Sequence, residues 1–224
     1  MNLQYRNKKV AVSRWKKIHE KELSSFDNSS KSYLSRAILC GFIAGDGNIC
    51  ERKNSSNYEL KFFPDDKLML NIYVKILESI YHKKPSVFRK KGYYCVRITS
   101  KTILKDLTKY CNFGVYTWTL PCKLFKSNKH VKFWLKSFFS AEAYVSKKSI
   151  KLQSVNISSI KDVSNLLSSL GIEHKFYEYQ PKFSSWSRVG IIFINKRSAR
   201  LDFYKTIGFW HLSKSNKLKE ALNL

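Results

Sequence analysis

The chain has 224 residues, and its 42 Lys and Arg residues outnumber its 16 Asp and Glu residues to give a formal net charge of +26. Hydrophobic residues make up 43% and aromatic residues 15% of the sequence, a content too high for a disordered basic chain. No apolar run approaches the ~20 residues that a membrane-spanning helix requires. The composition therefore excludes a disordered chain and an integral membrane protein, and it predicts one or two folded domains.

The cysteines and the start of the chain both bear on the compartment. The five cysteines are odd in number and form no CxxC pair, a pattern that predicts reduced thiols rather than disulfides or a zinc site. The segment Met1–Arg6 lacks the apolar core of a secretory signal. We therefore expect a reducing intracellular location, in the cytoplasm, the nucleoid or an organelle matrix.

The excess of positive charge predicts a polyanionic partner, because a net charge of +26 is strongly self-repelling. The basic residues do not form one tail. They recur inside segments with apolar periodicity, as in Lys83–Lys84, Arg89–Lys91 and Lys147–Lys148. This distribution favours a folded surface that contacts nucleic-acid phosphates. A basic soluble protein without such a partner is the alternative that the charge leaves open.

The predicted elements follow one order twice, αββαββα, which is an α+β pattern built from antiparallel hairpins. A short helix around Trp15 and Ile18 comes first. The first copy has a helix over 33–45, strands 48–52 and 58–63, a helix over 65–80, strands 86–89 and 93–99, and a helix over 101–111. The second copy has a helix over 130–141, strands 144–148 and 150–157, a helix over 159–170 capped by Gly171, strands 174–180 and 188–195, and a helix over 198–207.

The two copies align without a gap at an offset of 96 residues, which predicts a pseudo-two-fold molecule, the covalent equivalent of a homodimer. The expected organisation is a basic N-terminal extension (1–31), a first repeat (32–113), a linker (114–129), a second repeat (130–209) and a C-terminal helix (210–224). The aligned pairs are Leu39 with Leu135, Phe42 with Phe138, Asp46 with Glu142, Ile49 with Val145, Asp66 with Asp162, Leu70 with Leu166, Tyr81 with Tyr177, Ile98 with Ile194, Asp106 with Asp202, Lys109 with Lys205 and Phe113 with Phe209.

A carboxylate ends the first helix of each copy, Asp46 in one and Glu142 in the other. Small side chains let two helices approach backbone to backbone, which would bring the two acids together. Carboxylates that close raise each other's pKa, and a divalent cation such as Mg²⁺ or Mn²⁺ removes the repulsion. A polar turn explains one such acid, but two at equivalent positions favour a functional site. The small residues at helical spacing are Ala37, Gly41, Ala44 and Gly45 in the first copy and Ser137, Ser140 and Ala141 in the second.

The runs Leu39–Gly47 (LCGFIAGDG) and Leu135–Ala143 (LKSFFSAEA) resemble the two signatures of single-chain LAGLIDADG homing endonucleases. The resemblance extends to the αββαββα order and covers residues 33–209. It implies an α+β fold in which the two motif helices form the interface between duplicated units. It also implies two four-stranded antiparallel sheets that form a saddle over DNA.

The activity implied by this resemblance is that of a monomeric, Mg²⁺-dependent endodeoxyribonuclease. Such an enzyme cuts both strands of a long pseudo-palindromic site across the minor groove and leaves short 3′ overhangs. Asp46 and Glu142 would be the catalytic residues and would bind the metal, with the backbone carbonyls of Gly45 and Ala141 as further ligands. Mn²⁺ and Ca²⁺ are possible substitutes at the site. The second signature departs from the first at Ser137 and Ala143, and Ala143 lacks the freedom of glycine to adopt a positive φ.

Two further sets of candidate residues accompany the acids. The family has a basic residue at the edge of its active site, and Lys67, Lys101 and Arg197 are the candidates in this sequence, with an ordinary surface charge as the favoured alternative for each. Base contacts in the major groove are expected from the polar face of the strands, chosen by alternation. These candidates are Arg52, Lys61, Arg89, Arg97, Lys148, Lys151, Gln153, Lys175 and Arg188, and Tyr93, Tyr177 and Tyr179 fit the same face. For each lysine, contact with phosphate or solvent alone is the competing interpretation.

Two other functions fit the same scaffold. An RNA-binding intron maturase would use the same positive charge, with the basic extension 1–31 as an added contact. A catalytically inactive DNA-binding regulator is the second alternative, and the presence of both acids argues against it. The expected partner is double-stranded DNA, with intron RNA as the alternative and no membrane.

Overall fold

The computed structural model describes residues 3–51, 58–182 and 186–224, which form eight α-helices and eight strands. Helix α1 (Leu3–Ser24) comes first, and two lobes of like construction follow. The first lobe comprises α2 (Ser30–Asp46), β1 (Gly47–Glu51), β2 (Tyr58–Phe62), α3 (Lys67–Tyr81), β3 (Ser86–Arg89), β4 (Tyr94–Thr99) and α4 (Lys101–Thr108). The second comprises α5 (Asn128–Glu142), β5 (Tyr144–Val145), β6 (Ile150–Ser154), α6 (Ile157–Ser169), β7 (Lys175–Tyr179), β8 (Val189–Ile194) and α7 (Arg197–Thr206), and α8 (Leu212–Leu222) ends the chain.

Each lobe contains one four-stranded antiparallel sheet, with strand order β1-β2-β4-β3 in the first and β5-β6-β8-β7 in the second. The predicted α+β fold with two such sheets is confirmed. Helices cover one face of each sheet: the Phe62 ring on β2 packs 5.0 Å from Phe42 of α2 and 4.5 Å from Tyr73 of α3. The opposite face carries the exposed side chains of Arg97 in the first sheet and Gln153 in the second, and we call it the open face. Among the described residues, no helix is long and apolar enough to cross a membrane.

The prediction of a gap-free repeat is wrong in the middle of each lobe. The offset of 96 holds between Ile98 on β4 and Ile194 on β8, which take equivalent places in the two sheets. Their partners on the neighbouring strands are Leu60 and Ile150, and these are 90 residues apart. The first hairpin connection is therefore six residues longer in the first lobe, and a longer second hairpin in the second lobe restores the offset.

Helices α3 and α6, which follow the first hairpin of each lobe, are also related by the offset of 90 residues. Asp66 is the N-cap of α3, and its carboxylate accepts from the N–H groups of Leu68 at 2.8 Å and Met69 at 3.1 Å. Asn156, 90 residues later, is the N-cap of α6. The predicted pairs Asp66 with Asp162, Leu70 with Leu166 and Tyr81 with Tyr177 are therefore not structurally equivalent.

Helix boundaries agree with the sequence signals at several places and differ at the N-terminus. The predicted cap at Gly171 is present: this residue has φ +72° and its N–H donates to the carbonyl of Ser168 as α6 ends. Helix α1 is much longer than the short helix predicted around Trp15 and Ile18, whose side chains are exposed rather than buried. Nine of the 22 residues of α1 are charged, and its apolar residues Val10, Val12, Trp15 and Ile18 form no buried face.

Candidate active site

Helices α2 and α5 pack side by side at the centre of the molecule, and their small residues permit a very close approach. A Cβ atom on Gly41 would lie 2.6 Å from the carbonyl oxygen of Trp134 and 2.9 Å from the Cβ of Ser137. A Cβ atom on Gly45, one turn later, would collide with the Cβ of Ala141. Both distances are too short for a real Cβ, so glycine is required at these two positions. We call this line of contact between α2 and α5 the helix seam. The predicted helix interface is therefore present.

Asp46 and Glu142 are the last residues of these two helices. The chain leaves each helix in an extended conformation, with φ −105° at Gly47 and φ −75° at Ala143. A positive φ is thus needed at neither position, and the alanine is compatible with the turn in the second lobe. Gly47 is required for space, because a Cβ there would lie 2.6 Å from the carbonyl oxygen of Ile43.

The two carboxyl groups affect each other's protonation. Burial raises the pKa of Asp46 to about 6, and the nearby Asp65 carboxylate adds to the rise. Burial and the Asp46 charge together raise the pKa of Glu142 to about 7, although the residue keeps an exposed surface. The ammonium of Lys214 acts in the opposite direction on the pKa of both acids. The predicted juxtaposition of Asp46 and Glu142 is therefore present, and a third charged group belongs to the site.

This third group, Lys214, lies in the first turn of α8. Its Nζ donates to the carbonyl oxygens of Ser140 at 2.6 Å and Ala141 at 2.8 Å. Those carbonyls belong to the last turn of α5, where helical C=O groups lack intrahelical partners and attract cations. Burial lowers the pKa of Lys214, while the charges of the surrounding acids raise it.

The donor set of this site fits a hard divalent cation. Two carboxylates that repel each other in a partly buried position gain most from a shared cation, and their oxygen donors suit Mg²⁺, Mn²⁺ or Ca²⁺. Within the described residues, no cluster of three or more His, Cys, Asp and Glu side chains is able to hold a metal. A cation bound by Asp46 and Glu142 therefore needs further ligands from backbone carbonyls, water or a phosphate. The Ala141 carbonyl, one of the two predicted for that role, already accepts a hydrogen bond from Lys214.

The three predicted accessory basic residues have different surroundings. Lys67 is exposed at the start of α3, beside Asp65 and Asp66. Lys101 starts α4, and its Nζ lies 4.9 Å from the centre of the Tyr58 ring, in a groove beside α1. The guanidinium of Arg197 donates at 2.6 Å to the carbonyl of Leu222, at the far end of α8 from Lys214. The contacts of Lys101 and Arg197 are thus made away from the acid pair.

Several predicted DNA-contact residues share the open faces. On the first sheet, Lys61 and Arg97 face each other across β2 and β4, and both pair with Glu59, at 2.7 Å and 3.5 Å. On the second sheet, strand alternation places four predicted side chains on the open face, opposite the buried Leu152 and Ile192. These are Lys151, Gln153, Tyr177 and Lys175, and Tyr179 joins them on β7. Tyr93, just before β4, is exposed.

Four predicted contact residues do not fit that arrangement. Arg89 pairs with Tyr94 at the end of β3, and alternation places it on the opposite face from Arg97, so its assignment to the open face is wrong. Lys148 lies in the turn after β5 rather than on a strand, because the strand ends at Val145. Arg188 precedes β8 and pairs with Glu178, whose own strand neighbour is Gly190 on the helix-covered face. Arg52 lies outside the described residues.

A cleft of about 560 Å³ opens beside the acid pair, between the two lobes. Gly45 and Glu142 line it from the helix ends, and Asn48 and Gln153 line it from the two sheets. A predicted DNA-contact side chain, Gln153, and a predicted catalytic one, Glu142, therefore line the same cleft.

Sequence reasoning missed Lys214 and its neighbour His211. Neither has a counterpart in the repeat, and one lysine among the 42 Lys and Arg residues carries no distinguishing signal. His211 is 8% exposed, and its Nε2 lies 3.2 Å from the carboxylate of Asp65. The sequence predicts only that the adjacent acids Asp65 and Asp66 begin the helix over 65–80. The one sequence feature that points to these two residues is their position directly after the second repeat, at the start of the C-terminal helix.

Comparison with known proteins confirms the resemblance. Residues 130–208 match the family model described as a LAGLIDADG-like domain. No curated protein sequence matches the chain significantly. The second lobe is therefore similar to a LAGLIDADG-like domain, and the overall architecture of the chain is the LAGLIDADG fold.

Solved structures of homing endonucleases share this fold. Mesophilic variants of the homing endonuclease I-DmoI align over 80% of this chain and 97% of theirs, with a TM-score of 0.63 and 18% identity. The homing endonuclease I-WcaI, bound to its DNA recognition sequence, aligns over 83% of this chain and 86% of its own with a TM-score of 0.54 and 16% identity. The N-terminal LAGLIDADG domain of DUF199/WhiA aligns over 86% and 88% with a TM-score of 0.52 and 12% identity.

Proposed function

We propose that this protein is a monomeric, site-specific DNA endonuclease that depends on a divalent metal ion. The observation that carries the proposal is the pairing of Asp46 with Glu142 at the ends of two tightly packed helices, beside a cleft that Glu142 lines. The structural relatives support the same function: I-DmoI has been solved in complex with DNA and Mn, and in complex with DNA and Ca.

In this proposal the two acids hold the metal, and the helix seam fixes the distance between them. Because Gly41 and Gly45 admit no larger side chain, the helix ends keep one relative position. The metal, preferably Mg²⁺, would supply charge stabilisation at the scissile phosphate and activation of a water molecule for in-line attack. Glu142 lines the cleft and is therefore able to reach a phosphate that enters it.

The open faces provide the binding surface for DNA. Lys61 and Arg97 on one sheet, and Lys151 and Lys175 on the other, are positioned to contact phosphates or base edges in the two halves of a long site. The lobes are related by approximate symmetry, so a pseudo-palindromic target is expected. The open-face residues differ between lobes, so the half-sites should differ in sequence. Cleavage across the minor groove with short 3′ overhangs completes the proposal.

Cleavage of the host gene in its uninterrupted form tests this function. The DNA on both sides of the reading frame is joined to recreate the uninterrupted gene and cloned into a supercoiled plasmid. Incubation with the purified protein and Mg²⁺ should produce one double-strand break at the junction, and EDTA should prevent it. Absence of cleavage, combined with faster splicing of the intron RNA, would favour the maturase alternative.

A further inference from the structure

The ammonium of Lys214 is held by backbone rather than by the acids. Its Nζ donates to the carbonyl oxygens of Ser140 and Ala141, which end α5 immediately before Glu142. Among the described residues, Lys214 forms no ion pair within 4.0 Å with either Asp46 or Glu142, although its charge acts on both. The ammonium therefore takes the place of a cation bound to the C-terminal end of a helix.

The segment that carries Lys214 is attached to both lobes, which fixes its position. On the first lobe, the N–H of Leu212 donates to Asp66 at 3.0 Å, and His211 pairs with Asp65. On the second lobe, the N–H of Trp210 donates to the hydroxyl of Ser140 at 2.7 Å. The lysine is thus brought to the acid pair by a fixed element rather than by a free side chain on the surface.

Residues 210–224 lie beyond the region that matches the LAGLIDADG-like domain, 130–208. We propose that Lys214 is an internal cation that competes with a divalent metal ion at the Asp46–Glu142 pair. In the metal-free protein it compensates the charge of the two acids and uses the carbonyl of Ala141. Metal binding with that carbonyl as a ligand requires the ammonium to leave. The inference rests on the proposed function only for the presence of a metal at this pair.

Calcium binding in the absence of DNA tests the competition directly. The full chain is titrated with Ca²⁺ by calorimetry as wild type, as Lys214→Met and as Lys217→Met. Methionine keeps the apolar stem of lysine without its charge, and Lys217 is exposed on the same helix. Removing a competitor that occupies most of the sites should tighten Ca²⁺ binding by about tenfold or more in Lys214→Met, whereas Lys217→Met should match wild type. Unchanged, weaker or absent Ca²⁺ binding by Lys214→Met would overturn the proposal.

Thermal unfolding keeps the test decisive if Lys214→Met is poorly folded without metal. The stabilisation that Ca²⁺ confers on the folded state depends on its affinity, so the Ca²⁺-induced rise in Tm should be larger for Lys214→Met than for wild type. An equal or smaller rise would contradict the competition. Neither measurement uses DNA, so a protein that fails to cut DNA still yields a result for Lys214. Conversely, if the protein cuts DNA but its Lys214→Met variant binds Ca²⁺ like wild type, the proposed function holds and the competition is ruled out.

Discussion

Gly41 of α2 lies against the backbone of Trp134 in α5 so closely that a Cβ atom would be 2.6 Å from the Trp134 carbonyl oxygen. The neighbouring atom is backbone and belongs to the central helix pair, so it is unable to move aside without displacing α5. Gly41→Ala should therefore force the helices apart and cost roughly 1–3 kcal/mol in the free energy of unfolding.

Thermal unfolding and cleavage together measure this effect. Gly41→Ala should lower Tm by about 2–4 °C for each kcal/mol lost in a protein of this size, and it should reduce cleavage because the two acids separate. Lys31→Ala, an exposed change on the same helix, serves as the control. A Gly41→Ala variant with the Tm and activity of wild type would show that the seam tolerates separation.

The raised pKa values of the acid pair predict a pH-dependent stability in the metal-free protein. Folding raises the pKa of Asp46 to about 6 and that of Glu142 to about 7, from ordinary values of about 4. Their protonated forms therefore favour the folded state. This contribution is complete below the unfolded pKa and is lost as the pH rises through 6 to 7.

Glu142→Gln mimics the protonated acid and should remove part of that dependence. In EDTA, its Tm should exceed that of wild type at pH values above the Glu142 pKa, and the difference should shrink toward zero in more acidic buffer. Glu220→Gln, an exposed change on α8, controls for the loss of one charge. A Glu142→Gln variant less stable than wild type in alkaline buffer would mean that the ionised acid is favourable in the folded protein.

The parts of the site that have equivalent residues in both copies of the repeat could be predicted from the sequence. One acid after a run of small residues is ambiguous, but Asp46 and Glu142 occupy equivalent places in two copies, and the same comparison identified Gly41 and Gly45 as interface residues. Elements with strong periodicity or cap residues were also predictable, as at Gly171.

The parts that were missed depend on long-range contacts or on loop lengths. Lys214 has no repeat partner, and only the folded chain shows that α8 returns to the acid pair. The change of offset from 96 to 90 depends on the hairpin lengths, which helix and strand periodicity does not constrain. The face of Arg89 depends on its pairing with Tyr94, and alternation along an exposed edge strand is a weak guide to register.

The open faces predict a specific salt dependence of DNA binding. If Lys175 contacts a phosphate, Lys175→Ala should reduce the slope of log Kd against log salt by about 0.9, one phosphate contact. Lys105→Ala changes an exposed lysine on α4, in the groove beside α1, and should leave the slope unchanged. Fluorescence anisotropy with a labelled duplex at several salt concentrations measures both slopes. Equal slopes for wild type and Lys175→Ala would place this part of the open face outside the DNA contact.

The acid pair itself provides the most direct test of the account. Asp46→Asn and Glu142→Gln keep the size of each side chain and remove its charge, so each variant should bind the target duplex with an affinity near that of wild type. Loss of a charged ligand should nevertheless reduce Mg²⁺-dependent cleavage by about a hundredfold or more, because groups that merely orient metal ligands already contribute roughly 10- to 100-fold. Cleavage at the wild-type rate by both variants would contradict the assignment of this pair as the catalytic site.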